Sequence, residues 1–361
     1  MKKKEKIIFI INRLGGPGWG GAHRVAVILA NYFASNDYDV ELFSWNCDQI
    51  DYPINNSVKI TNFNIECKNF KDRIKVIYLM RKQLKKRKKS YIYVLMSRLT
   101  IDVFFANIFL KHKIIGSERT DPNTEPKNKL ARVLRNIVFC LIYKCVFQTN
   151  DAQNYFPKMA RNKSVVIPNP LTDNLPERFI GKRKHEFVTF CRIDKQKNLP
   201  MMIDAFILFH EKYNDFILNI YGDGLIRSEI ENYIIEKNAE LYIILNHFEK
   251  KIHDKIIDSF AYLNSSDYEG MSNSMLEALA IGLPCICTDC KIGGAKMIIK
   301  DHYNGILVET GNSMQLYLAM CELVENDNLR EKISLNSIKI KEELRQDVIC
   351  RKWEKLMNNE G

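Results

Sequence analysis

Two carboxylates, Glu269 and Glu277, stand eight positions apart in the run Asp267-Tyr-Glu269-Gly-Met-Ser-Asn-Ser-Met-Leu-Glu277-Ala-Leu-Ala-Ile-Gly282-Leu-Pro284. Glu269-Gly270 is a turn signal. Ser272, Asn273 and Ser274 are all good N-cap residues, so a helix is expected to start among them. Met275 to Ile281 are helix formers, Gly282 ends them, and Pro284 opens a strand over Cys285 to Thr288. A helix N-terminus offers unpaired N–H groups and the positive end of a dipole, which suit a phosphate. Glu277 falls on the same helix face as Asn273, where its carboxylate could accept from two neighbouring hydroxyls, as in a ribose. Glu269, outside the helix, would reach a group beyond the phosphate. The same residues also fit a blander reading, in which Ser274 to Glu277 is a capping box and Glu277 serves only backbone N–H groups. On this stretch alone both readings stay open.

Other constellations bear on the same chemistry. Arg192 and Lys197 lie five apart in the loop Cys191-Arg-Ile-Asp-Lys195-Gln-Lys197-Asn198, between a strand and a helix, where two cations can converge on a diphosphate. Ser117-Glu118-Arg119-Thr-Asp121-Pro-Asn123 is a charged, proline-broken loop after a strand, the position where parallel sheets place ligands. Arg119 could clamp a phosphate or carboxylate there, or simply pair with Glu118 or Asp121 at the surface. Gly16, Gly18 and Gly21 satisfy G-x-G-x-x-G, so an NAD-dependent oxidoreductase must be weighed. That fingerprint needs an acid at the end of the second strand, which here reads Ser44-Trp45-Asn46, and Glu41 comes too early. Cys285, Cys287 and Cys290 have a metal-like spacing. However, the first two share one face of a strand, no fourth ligand is near, and buried cysteine is the commoner case.

Composition bounds the remaining choices. A length of 361 residues suggests two domains. Hydrophobic content of 46% with 27% charged residues is globular, and the net charge of +11 suggests an anionic partner. Ten irregularly spaced cysteines without a signal-peptide pattern indicate a reducing cytoplasm. Apolar runs are too short to span a bilayer, so membrane contact is expected to be peripheral, at the inner face of the cytoplasmic membrane. The basic run Arg81 to Lys89 admits three readings: a solvated helix end, an anionic membrane patch, or a nucleic-acid patch. No aromatic-interleaved motif supports the last, and no nucleic-acid partner is expected.

The elements that must position these residues read as α/β throughout. Ile7 to Ile11 is a buried parallel strand, followed by a glycine-dense loop, a helix over Ala22 to Ala34 and a strand over Val40 to Phe43. Arg73 to Ser90 is expected to be a helix with Ile74, Ile77, Leu79 or Met80, and Leu84 inward. Strands follow at Tyr91–Met96, Lys113–Gly116 and Cys145–Thr149, the last of the first domain. The pattern restarts with a strand at Phe187–Phe190 and a helix at Leu199–Tyr213. Further strands are expected at Phe216–Ile220 and Leu241–Leu245, with helices at Glu229–Lys237 and Ile252–Ser259. Two closing helices follow, the last from about Ile338. His23 is expected on a helix surface.

Glu-x7-Glu followed by Ala-Leu-Ala-x-Gly-x-Pro resembles the signature of the family 4 retaining glycosyltransferases. Gly20-Gly21-Ala-His-Arg-Val, Ser-Glu-Arg at 117–119, Ile-Pro-Asn-Pro at 167–170, Arg192 with Lys197, and Gly222-Asp223-Gly224 are similar to further elements of that family. Two departures stand out: Cys191 replaces a usual glycine, and Arg119 stands where many members have histidine. The resemblance implies a GT-B fold, two Rossmann-like domains facing across a cleft. These would be an acceptor-side domain over residues 1–175, a nucleotide-sugar domain over 176–340, and a C-terminal helix, 341–361, packing back on the first. It implies a retaining hexosyltransferase that moves a sugar from a nucleotide-sugar donor, UDP by preference, to a glycan or lipid-linked glycan acceptor in polysaccharide biosynthesis. Catalysis would fall to Glu269, Arg192 and Lys197. Donor binding would fall to Gly20, Gly21, Gly222, Asp223, Gly270, Met271, Ser272, Asn273 and Glu277, with Glu118 and Arg119 on the acceptor side. No metal or other cofactor is expected. The non-enzyme alternative is an inactive transferase fold that binds membranes through its basic surface.

Overall fold

Apolar strands alternating with amphipathic helices build two parallel sheets in the computed structural model, which describes residues 5–15, 20–47 and 49–357. Gly16 and Gly18, two of the three glycines of the NAD reading, lie outside the described residues. The chain divides into two compact units, Met1–Pro170 with Gln346–Gly361, and Leu171–Arg345. The divisions fall at 170/171 and 345/346, a few residues from the junctions expected at 175/176 and 340/341.

The first unit holds seven parallel strands in the order β3-β2-β1-β4-β5-β6-β7: β1 Lys6–Arg13, β2 Asp39–Asn46, β3 Lys59–Asn62, β4 Tyr91–Val94, β5 Lys113–Glu118, β6 Lys144–Phe147 and β7 Ser164–Val166. Ile7 to Ile10 are fully buried, as a central strand covered on both faces requires. The glycine loop follows β1, which neighbours β4 where the strand order reverses. The strand at 144–147 is not the last of its sheet, because β7 extends the edge beyond it. Four helices matter below: α1 Gly21–Ser35, α2 Phe70–Leu84, α3 Ser97–Asn107 and α4 Lys129–Leu141.

Helix α2 stops at Leu84, short of the Ser90 expected from periodicity. It buries Val76, Met80 and Leu84, whereas Ile74 faces out. Two cations of the 81–89 run are structural. Arg81 Nη1 donates to the α3 C-terminal carbonyls of Ala106 and Ile108 at 3.1 and 2.7 Å. Arg87 forks onto Glu41, with Nη2 2.5 Å from Oε1. The C-terminal helix begins at Gln346 rather than near Ile338 and belongs to the first unit. There Glu354 accepts from the Tyr32 and Tyr38 hydroxyls at 2.9 and 2.7 Å, and buried Trp353 lies 5.9 Å from the Tyr93 ring.

The second unit holds six parallel strands in the order β10-β9-β8-β11-β12-β13: β8 Glu186–Phe190, β9 Ile217–Tyr221, β10 Ile243–Asn246, β11 Ala261–Asn264, β12 Cys285–Thr288 and β13 Ile306–Val308. Strand order reverses between β8 and β11. Open parallel sheets bind ligands beyond the strand C-termini at such a switch point. Strand β11 is not among the strands expected from sequence, yet it carries the chain directly to Glu269. Among the described residues, no helix is long and apolar enough to cross a membrane.

Candidate active site

The loops after β8 and β11 are stitched together in the second unit. Asp267 N donates to Gln196 O at 3.0 Å, Asn198 Nδ2 to Asp267 Oδ1 at 2.7 Å, and Ser265 Oγ to Lys197 O at 2.8 Å. Within the first loop Asp194 caps a one-turn 3₁₀ helix, Lys195–Lys197, by accepting from Gln196 N. Asn198 then takes a left-handed φ of 43° and caps the next helix, Leu199–Lys212. Asparagine tolerates that conformation because its short amide can bond locally.

This stitching brings Lys197 and Glu269 into contact. Lys197 Nζ lies 2.7 Å from Glu269 Oε1, with the two side chains 11% and 16% exposed. Ser266 Oγ donates to the other carboxylate oxygen at 3.0 Å. Burial works against the lysine's charge, but Glu269 outweighs it and leaves Lys197 above its ordinary pKa. Lys197 is therefore a cation held in place. Arg192 differs: it is exposed and its Nε donates to Asp194 Oδ2 at 2.5 Å. Lys195, between Arg192 and Lys197 in the loop, is also exposed.

Gly222 and Gly224 are glycines because the 191–193 backbone lies directly on them. A Cβ on Gly222, whose φ is +151°, would sit 1.9 Å from Cys191 O, and one on Gly224 would sit 2.0 Å from Ile193 O. Between them Asp223 accepts from His247 Nδ1 at 2.8 Å and Phe248 N at 3.0 Å, and those bonds lower its pKa. Asp223 thus pins the 247–248 loop. The Cys191 thiol fits half-buried against the core, and burial pushes its pKa up to about 11, so it is inert.

The helix at the end of the second loop runs Asn273–Ala280 with Ser272 as N-cap, accepting from Met275 N. This removes the capping box proposed for Ser274 and Glu277, since the N3 position is Met275. Glu277 sits one turn inside, buried, with Oε2 2.9 Å from His253 Nε2. Ser274 Oγ bonds Tyr262 and Ser272. Gly270 and buried Met271 back onto Gly294, whose N–H donates to Gly270 O and whose Cβ would meet Met271 Cα at 3.0 Å. His253 and Ser266 are the members that sequence reasoning missed; neither lies in a recognisable spacing.

Cys285 and Cys287 are fully buried on β12, and among the described residues no group of His, Cys, Asp or Glu could hold a metal ion.

In the first unit, Gly20 is the N-cap of α1 and Gly21 its first residue, while His23 closes the cap. His23 is buried, contrary to the surface position expected, with Nε2 2.5 Å from Asn12 Oδ1, and burial lowers its pKa to about 4. Glu118 also differs from expectation. Its carboxylate turns inward to fully buried Arg135 at 3.2 Å, and Oε1 accepts from the N–H groups of Arg119 and Thr120. Burial raises its pKa despite these partners. Arg135 also donates to the Pro122 and Glu125 carbonyls, so it organises the 118–126 loop. Glu118 is thus a scaffold for that loop. The Arg119 guanidinium forms no ion pair with Glu118 or Asp121; it bonds Asn169, and burial lowers its pKa to about 9.

Comparison with known proteins agrees with this architecture. Residues 173–340 match the family model "Glycosyl transferases group 1". The chain is 25% identical over 367 residues to the amylovoran biosynthesis glycosyltransferase AmsD of Erwinia amylovora, covering 98% of this chain and 99% of that one. It is 26% identical over 363 residues, 98% of each, to a Campylobacter jejuni alpha-1,4-N-acetyl-D-galactosaminyltransferase named for a glycan on PP-undecaprenol. Anabaena HepE, solved with UDP and glucose, superposes with a TM-score of 0.82 at 14% identity over 99% of this chain and 100% of that one. The chain has the GT-B fold of the glycosyltransferase structures it superposes on, and its residues 173–340 match the glycosyl transferases group 1 model.

Proposed function

We propose that this protein transfers a glycosyl group from a UDP-sugar to a hydroxyl of a glycan or lipid-linked glycan, with retention at the anomeric carbon. The observation that carries the reading is the Lys197–Glu269 pair at the switch point, beside the Asn273–Ala280 helix N-terminus and the Gly222-Asp223-Gly224 turn. When the donor bond breaks, negative charge builds on the diphosphate. Lys197, Arg192 and the N–H groups at Ser272 and Asn273 are suited to hold it, and a preorganised charge of this kind supplies the largest catalytic term. With two cations and a helix end, the step needs no metal. Glu269 orients the sugar and favours positive charge at the anomeric carbon. Glu277 holds the ribose, with His253 fixing one of its oxygens. No second carboxylate of the second unit accompanies Glu269 in the described contacts, so attack from the leaving-group face is the route favoured over double displacement.

UDP as the donor nucleotide is supported by the UDP in the HepE structure, and a lipid-linked acceptor by the PP-undecaprenol in the Campylobacter relative's name. The oxidoreductase alternative lacks its acid: β2 ends at Asn46, and Glu41 is engaged by Arg87 and Lys6. The test is UDP release from UDP-glucose, UDP-N-acetylglucosamine and UDP-N-acetylgalactosamine. Release from one of them, abolished in Glu269→Gln, supports the reading. No release from any, with or without lipid extract as acceptor, sinks it.

A further inference from the structure

Helix α4 presents its richer apolar face to solvent. Leu130, Val133, Leu134, Ile137 and Leu141 follow one another at helical spacing and are 80%, 57%, 36%, 51% and 59% exposed. The face it buries consists of Arg135, Val138 and Phe139. One exposed leucine is ordinary; five aligned over three turns are not. Helix α3 packs beside α4, and just past its C-terminus Phe109 is 91% exposed with a left-handed φ of 65°.

Charge decides what covers this stripe. Between residues 127 and 163 the chain has eight lysines and arginines against one acid, Asp151; Lys127, Lys129, Lys158 and Arg161 are exposed, whereas Arg135 is buried in its pair with Glu118. Lys127 and Lys129 are exposed beside the first turn of α4, and Arg132 donates to the Pro126 and Lys127 carbonyls at 2.9 Å, holding that turn against the helix. An apolar stripe flanked by cations is the pattern of a helix lying in a lipid headgroup region. A second copy of the chain would bring two like-charged rims together. A nucleic acid would leave the aliphatic stripe without a partner. We propose that α4 docks this protein on the surface of a bilayer containing anionic phospholipid, its stripe inserted and its basic flank on the headgroups. The docking surface is distinct from the basic run 81–89, of which Arg81 and Arg87 have structural partners.

The proposal is independent of the donor site, so it is tested on the full chain without substrate. Flotation is measured with phosphatidylglycerol-containing vesicles and with pure phosphatidylcholine vesicles, at low and high salt. The expected result is binding to the anionic vesicles, with a residue of binding surviving high salt because the stripe is inserted. Leu130→Glu and Ile137→Glu are expected to lower partition at least about tenfold, with unchanged thermal unfolding and unchanged UDP binding. Lys127→Glu with Lys129→Glu should remove the preference for anionic lipid. The proposal is overturned if wild type does not float, or if the two stripe variants float as wild type does. It is equally overturned if those variants convert a dimer to a monomer in solution, which would make the stripe a contact between copies.

Discussion

Lys197→Ala gives the most informative perturbation of the donor site. The variant leaves Glu269 with the Ser266 hydroxyl and no cation, in a position 16% exposed. Removing one partner of a buried pair costs about 3–5 kcal/mol, because the other charge stays desolvated. With both side chains slightly open to water, the lower end, about 3 kcal/mol, is expected. Glu269→Ala should cost a similar amount by stranding the lysine. The double variant removes both charges, so its loss should fall short of the sum by about 1–3 kcal/mol of coupling. Unfolding must be followed by circular dichroism or calorimetry, because the sequence of the second unit, residues 171–345, has no tryptophan and tryptophan emission would miss the change. Since two units can unfold separately, the affected transition is that of the second. UDP-sugar turnover should fall about 10²–10³-fold in Lys197→Ala, as for loss of one preorganised charge contact. Additive stability losses together with unimpaired turnover would refute the pairing and its role.

Three further outcomes are expected. Arg135→Ala should cost about 3–5 kcal/mol, because it strands buried Glu118 and frees the loop carbonyls it holds; urea titration checks it, and a loss under 1 kcal/mol would contradict the assignment. Gly222→Ala should cost on the order of 3 kcal/mol, seen as a fall of roughly 6–12 °C in the thermal midpoint of the second unit, since its Cβ has no room against Cys191 O. His23, with a folded pKa of about 4 against an ordinary 6.5, takes its proton more readily in the unfolded chain. The stability it contributes is therefore complete above about pH 6.5 and lost as pH falls toward 4, a change of about 3 kcal/mol. The difference in unfolding free energy between wild type and His23→Gln, measured across that window, should carry this slope.

The parts of the site legible in sequence were those fixed by local rules. Glycines, prolines and N-cap residues mark where β8 hands over to a helix and where the Asn273–Ala280 helix begins, so Arg192, Lys197 and Glu269 fall in loops on sequence grounds alone, although β11 itself does not show. What escaped depended on distant packing. His253 meets Glu277 across 24 residues of chain, and nothing in its own neighbourhood marks it. Arg135 lies in no motif, yet it is the buried anchor of a loop 10 to 17 residues away. Glu118 looked like a ligand-facing acid because its loop is polar, but the same polar groups are what satisfy it in the interior. Helix α4 has perfect amphipathic periodicity, and periodicity alone does not say which face turns inward; the exposed stripe is visible only once α4 has been packed.

The most direct test of the central claim is calorimetric titration of UDP, GDP and NAD into wild-type protein and into Glu277→Ala, without added metal. Glu277 is buried inside its helix, bonded to His253, and does not cap it. The account predicts that UDP binds wild type, that GDP and NAD bind far more weakly, and that Glu277→Ala loses at least about tenfold in UDP affinity, the worth of one or more hydrogen bonds to a charged group. If UDP binds both proteins equally, or if NAD alone binds, the carboxylate does not hold a ribose and the donor site does not lie where the Lys197–Glu269 pair points.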